Sequence, residues 1–362
     1  MRLKTFLYSL LKLLLSFVQL AFLVVVLFII YSIYKDYNPP EKEQLFVQES
    51  EQASTVKHDS TFSFLIWNIG YAGLGAEMDF FYDGGKQTRA GQPLHQRYHQ
   101  GIEKFLKAND SIDFLLLQEV DRHSKRTYYH NQVAALRKVL PGYHSVFSKN
   151  YDVPFVPLPV FNPLGRVKAG MMTFSKHPAD NAMRLSLPQA QPWPQKYFML
   201  DRAVLVTTHA LPQNRKLVVM NIHNSAYADD KEALKEETAI IRKYAREQQQ
   251  AGHVVVIGGD WNQNPPDFEA KASEAFFSLD YQLSDTLLGE RWEWAWSRTK
   301  PTNRSLAEPY NSSTPETVID FFVASPGLQV KEVKVLEMGF EFSDHEPVYL
   351  RVKLTPPKRN QK

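Results

Sequence analysis

Asp260 and Asn262 stand two residues apart at the end of "VVVIGGDWNQNP", where an apolar run meets two glycines and then polar groups. Gly, Asp, Asn and Pro also build ordinary turns, so this stretch alone says only that a buried strand stops here. The same event recurs. "FLIWN" stops at Asn68, "LLLQE" at Glu119, and "VVMNIH" at Asn221 and His223, while "TVID" contains Asp320. "FSDHEP" places Asp344 and His345 just before a last apolar run. Taken singly, Glu119 reads equally well as a solvated strand end and His223 as a structural histidine. Together, polar groups that terminate neighbouring strands would meet on one rim. Carboxylate and amide oxygens suit a hard divalent cation such as Mg²⁺ or Mn²⁺. Two histidines suit proton transfer near neutral pH.

The elements that must carry these residues follow from hydrophobic patterning. "TFSFLIW", "IDFLLLQE", "AGMMTFS", "RAVLVTTHA", "KLVVMNIH", "HVVVIGGD", "TVIDFFVAS", "LQVKEVKVLE" and "EPVYLRVKL" read as strands. Segments 96–109, 128–140 and 229–250 read as helices; in the last, acidic residues lead, and Leu234, Ile241 and Tyr244 lie near one face. Many strands with a few interspersed helices predict an α/β fold of two packed mixed sheets flanked by helices.

The chain has 362 residues, a net charge of +3 and 44% apolar residues, enough for a substantial core. It has no cysteine, which excludes disulfides, thiolate metal sites and a cysteine nucleophile within it. Residues 13–34 are apolar and uncharged, preceded by Arg2, Lys4 and Lys12, and 22 residues suffice to cross a bilayer as a helix. A signal peptide would carry a shorter apolar region and a small-residue cleavage site. The sequence therefore divides into a cytoplasmic 1–12, a transmembrane anchor 13–34, a polar linker 35–60, a catalytic domain 61–356 and a basic tail 357–362. The basic flank puts the domain outside the cytoplasm.

With these pieces in order, the sequence resembles the endonuclease/exonuclease/phosphatase superfamily, which includes deoxyribonuclease I, abasic-site endonucleases and neutral sphingomyelinases. "IWNIG", "LLLQEVD", "AGMMTFSKHP", "MNIHNSA", "VVIGGDWNQNP", "IDFFVAS" and "SDHEPV" carry the resemblance over nearly the whole domain. It implies a four-layered α/β sandwich and a Mg²⁺- or Mn²⁺-dependent phosphoric ester hydrolase. It also implies roles: Asn68, Glu119 and Asp344 for the metal; Asp260 and Asn262 for the attacking water and the phosphate. His223 would contact the phosphate and protonate the leaving group. His345 would activate water, with Asp260 assisting and Asp320 orienting it. Asn221 would support the His223 loop at the substrate.

For the substrate, the anchor favours a phospholipid or sphingolipid head group over nucleic acid, because tethering raises the effective concentration of lipid. The Pro- and aromatic-rich stretch 151–170 could touch lipid or pack as an edge loop. Trp292, Trp294 and Trp296 alternate in "RWEWAWSR", and core packing is the simpler reading. Lys86 or Arg89, after "NIGYAGLG", could line the phosphate site, with Arg89 preferred. Lys125, Arg126, Arg166 and Lys168 form no dense basic stripe of the kind a nuclease groove needs. An extracytoplasmic nuclease and a catalytically silent binding module remain the alternatives.

Overall fold

The computed structural model of the chain describes residues 2–50, 60–189, 191–226, 231–269 and 282–355. In chain order the elements are α1 (Arg2–Tyr34), β1 (Lys42–Gln44), β2 (Val47–Gln48), β3 (Thr61–Asn68), α2 (Gln92–Ala108), β4 (Phe114–Asp121) and α3 (Gln132–Val139). Then come β5 (His144–Val156), β6 (Gly165–Ser175), β7 (Asn181–Ser186), β8 (Ala203–Leu211), β9 (Arg215–His223), α4 (Lys231–Gln250) and β10 (Val254–Asp260). The chain closes with β11 (Glu293–Ala295), β12 (Asn303–Arg304), β13 (Glu316–Thr317), β14 (Asp320–Ala324), β15 (Leu328–Val335) and β16 (Val348–Leu354).

Two seven-stranded mixed sheets run β1-β7-β8-β9-β10-β14-β11 and β15-β16-β3-β4-β6-β5-β2. Central strands are buried on both faces, which is why they read as unbroken apolar runs. Alternate residues serve two cores. Phe64, Ile66 and Leu116 meet Val219, Val256 and Phe322 between the sheets. On the outer faces, Leu65, Trp67 and Leu117 pack under Tyr98, Ile102 and Leu136 of α2 and α3, while Met220 and Ile257 pack under Ile241 and Ala245 of α4. The result is the expected four layers, helix–sheet–sheet–helix.

Two helices differ from expectation. α2 begins four residues early because Pro93 fits the first turn, where its missing N–H is no loss. α3 is shorter than 128–140: Tyr128 and Tyr129 hold positive φ, and Asn131 caps the helix by accepting from the Ala134 N–H. Residues 229–230 lie outside the described residues, as does the tail 357–362.

The segment 35–60, expected as a linker, instead supplies two edge strands. β1 pairs with β7 in one sheet and β2 with β5 in the other, so residues 42–48 clip the two sheets together along one edge. Leu45 and Val47 drive this by packing with Val146, Met171 and Leu205. Two apolar residues are too short a pattern to stand out in sequence. Residues 51–59 lie outside the described residues. Trp292, Trp294 and Trp296 all pack into the core under α4. Within α1, Leu3–Tyr34 is long and apolar enough to cross a membrane, a test that a signal sequence near an N-terminus also passes.

Candidate active site

Strand register builds the first half of the site. In one sheet the Cα partner of Asp260 is His223 on β9 and Asp320 on β14, so three polar residues form a row across the ends of adjacent strands. The other sheet supplies Asn68 from β3 and Glu119 from β4, and the loop before β16 supplies Asp344 and His345.

Local backbone aims these side chains. β4 shifts register between Leu117 and Val120, and Glu119 sits there at φ 54°, a bulge that turns its carboxylate out of the ladder. Gly259 has φ 145°, and a Cβ there would lie 2.1 Å from the Ile222 carbonyl oxygen, so only glycine lets β10 lie this close to β9. Asp260 and Asn262 do not share a side through strand alternation. The strand ends at Asp260 and the chain turns at Asn262 with φ 51°. The Asn262 N–H donates to Asp260 Oδ1 at 2.9 Å and its Nδ2 to the Asn224 carbonyl at 2.8 Å. Trp261 goes the other way, stacked on Phe321 at 5.0 Å.

A cavity of about 420 Å³ collects Asn68, Glu119, His223, Asp260, Asn262, Asp344 and His345. Asn68 Nδ2 donates to Asp260 Oδ2 at 3.0 Å and to Glu119 Oε1 at 3.3 Å. His223 Nε2 lies 3.5 Å from Asp260 and 3.8 Å from Glu119. His345 Nε2 lies 3.8 Å from both Asp260 and Asp344, while its Nδ1 is 2.8 Å from Asp320. Asp320 stands behind His345 and does not line the cavity.

Two sequence candidates are placed elsewhere. Asn221 is fully buried between the sheets, accepting from Gln118 Nε2 at 2.7 Å and donating to the Met172 carbonyl at 3.0 Å. It is a polar strut, and a substrate cannot reach it. Arg89 donates to Asn162 in a solvent-exposed hydrogen bond outside the cavity. In its stead the cavity wall holds Arg126, which grips Asp121 at 2.9 Å and 3.1 Å and covers the Tyr71 ring at 3.6 Å, together with Arg202. Asn303, whose Nδ2 lies 3.1 Å from His345 Nε2, was also missed. Neither Arg202 nor Asn303 ends an apolar run, so the signal that found the others is silent for them.

The two histidines sit in opposite fields. Burial works against charge on His345, but Asp320, Asp344 and Asp260 outweigh it and hold the imidazolium well above the usual histidine range. Burial, then Arg202, His345 and Arg126, push His223 well below that range. Asp260 is pushed up to about 6 by burial, against the pull of His345 and with help from Asp320. Glu119 is raised by burial and by Asp344, with Arg126 opposing. Asp260, Asp320 and His345 offer ligand atoms within 4.8 Å of one another, so this buried group could hold a metal.

The model of the Endonuclease/Exonuclease/phosphatase family matches residues 66–345, a span that contains Asn68, Glu119, His223, Asp260, Asn262, Asp344 and His345 of the cavity. The chain belongs to the endonuclease/exonuclease/phosphatase family. Solved structures share the fold. An endonuclease/exonuclease/phosphatase from Beutenbergia cavernae DSM 12333 superposes with TM-score 0.56 at 21% identity, over 81% of this chain and 72% of that one. One from Bacteroides vulgatus gives TM-score 0.52 at 16% identity, over 82% and 99%. ANGEL2, a 2′,3′-cyclic phosphatase in complex with adenosine-2′,3′-vanadate, gives 0.51 at 15%, over 86% and 99%. No curated protein matches the sequence. Membership in the endonuclease/exonuclease/phosphatase family places the chain among divalent-metal-dependent phosphoesterases and nucleases.

Proposed function

We propose that this endonuclease/exonuclease/phosphatase protein is a Mg²⁺- or Mn²⁺-dependent phosphodiesterase, anchored in a membrane by α1 with its domain outside the cytoplasm, acting on a phospholipid or sphingolipid head group. The observation that carries the chemistry is the His345 ring, set among the carboxylates of Asp260, Asp320 and Asp344 and sharing one cavity with Glu119 and Asn68. The donor set fits a hard cation: burial and the neighbouring Asp344 raise the cost of ionising Glu119, and a divalent ion held there would reverse that penalty. Asn68, Glu119 and Asp344 would hold it, and it would supply charge neutralisation for the non-bridging phosphate oxygens.

Fields within the site redistribute the acid–base roles. An imidazolium has no lone pair with which to take a proton, so His345 serves as donor and phosphate clamp, held by Asp320. Asp260, poised near neutral pH and fixed by Asn68 and the Asn262 N–H, is the group able to accept a proton from water. His223 is neutral and contacts the phosphate through Nε2, beside Asp260. Arg126 and Arg202 add positive charge at the wall.

Apolar lining from Leu74, Phe80, Leu164, Met199 and Leu200 supports a lipid over a polyanion. The test is to incubate the full chain in detergent with Mg²⁺ and labelled phospholipid, sphingomyelin or plasmid DNA, with and without chelator. Metal-dependent release of a lipid head group is expected; cleavage of DNA alone overturns the substrate assignment.

A further inference from the structure

The hairpin between β5 and β6 ends in thirteen residues without a charge, "VPFVPLPVFNPLG", 153–165. Its tip is apolar and open to solvent: Phe155, Leu158 and Val160 are exposed, and Phe161 is 100% exposed. Burying such side chains is favourable, so leaving them in water carries a cost and a cluster of them marks a surface that meets something apolar. Trp193, 64% exposed, stands on the β7–β8 connection five residues before Phe198.

Three relationships say what covers this surface. First, both segments touch α1. The Phe28 ring meets Phe155 edge-on at 6.0 Å and stacks on Phe198 at 5.6 Å. Phe28 lies seven residues before Lys35, about 10 Å along the helix axis, which is below the level where the charged end of a spanning helix meets water. Second, the domain is held in this pose. β1 starts eight residues after Tyr34, Ser32 is buried, Tyr37 donates to Glu43 at 3.0 Å, and Lys149 sits 3.5 Å over the Tyr37 ring. Third, the same two segments wall the cavity from within, through Leu164 on one and Met199 and Leu200 on the other.

We propose that the β5–β6 hairpin tip, with Trp193, is a second membrane-seating surface. Leu158, Val160 and Phe161 enter the outer leaflet beside α1 and turn the cavity toward the head groups of that bilayer. The partner is the bilayer itself, and the inference rests on the reading of α1 as an anchor and of the cavity as a phosphodiesterase site. Substrate then reaches Asp260 along a path that begins in the interface.

The full chain, reconstituted with Mg²⁺ in phosphatidylcholine–sphingomyelin vesicles, tests this. Since the chain has no cysteine, Phe161→Cys accepts a single environment-sensitive fluorophore. Quenching of that fluorophore by spin-labelled lipid is expected; a fluorophore that remains in water overturns the proposal. Val160→Asp with Phe161→Asp should lower vesicle-lipid turnover about tenfold or more, since carboxylates are expelled from the apolar layer. Turnover of soluble bis(4-nitrophenyl) phosphate should not change. Unaltered lipid turnover, or an equal loss on both substrates, overturns the proposal. A wild-type chain inactive on both substrates refutes the phosphodiesterase reading, while the quenching still decides the seating.

Discussion

Asp320 Oδ2 lies 2.8 Å from His345 Nδ1, and the two residues come from different sheets. Asp320 opens β14 beside β10, whereas His345 precedes β16 beside β3. The bond closes the rim where the sheets meet and fixes which nitrogen of His345 faces the cavity.

Replacing Asp320 by Asn keeps shape but removes the charge and offers Nδ1 a donor in place of an acceptor. Asp320→Asn should lower kcat on a soluble phosphodiester about 10²–10⁴-fold with little change in KM. Steady-state kinetics beside circular dichroism read this. A folded variant with ordinary kcat contradicts the role given to Asp320.

Glu119 is the carboxylate expected to lose most by losing the cation. Glu119→Gln should move the Mg²⁺ concentration for half-maximal activity up about tenfold or more, with residual turnover at high metal. A metal titration of rate settles it. An unshifted midpoint removes Glu119 from the metal site.

Away from the cavity, Asp201 is pushed up to about 7, by burial and then by Asp36. An acid with a raised folded pKa keeps a proton that the unfolded chain has already released. Stability therefore falls as pH rises from about 4 to about 7 and levels off above that. Asp201→Asn should melt higher than the wild type at pH 8, with the gap closing toward pH 4. Melting curves that stay parallel across that window show that Asp201 does not titrate this way.

Much of this was legible because burial and function share one signal. Strands covered on both faces must be apolar, so a carboxylate, amide or histidine at their ends stands out, and Asn68, Glu119, His223, Asp260 and Asp320 were found that way. Asn221 carried the same signal for another reason: its amide satisfies backbone and side-chain groups between the sheets. Arg89 was drawn from proximity in sequence, yet its loop carries it to Asn162. Arg202, just before β8, and Asn303, in the two-residue β12, reach the cavity only through tertiary placement, which no local pattern encodes. The acid–base roles proposed above for His345 and Asp260 also lay beyond sequence, since that proposal depends on three carboxylates surrounding one ring.

Gly259 is the position where fold and site constrain each other. A Cβ there would overlap the Ile222 carbonyl, so Gly259→Ala must push β10 from β9 and with it Asp260 from His223. We expect a loss of about 3 kcal/mol or more and a melting temperature lower by about 5 °C or more. Calorimetry showing an unchanged transition contradicts the close approach.

Asp260 is the residue on which the account turns, since it joins the row across one sheet to the amide and imidazoles around it. The most direct measurement is hydrolysis of bis(4-nitrophenyl) phosphate by the full chain and by Asp260→Asn, each with Mg²⁺ and with chelator. Turnover by the wild type is expected with Mg²⁺ alone, with a loss of about 10²-fold or more in a folded Asp260→Asn. Turnover that survives the chelator, or a variant as active as the wild type, contradicts it.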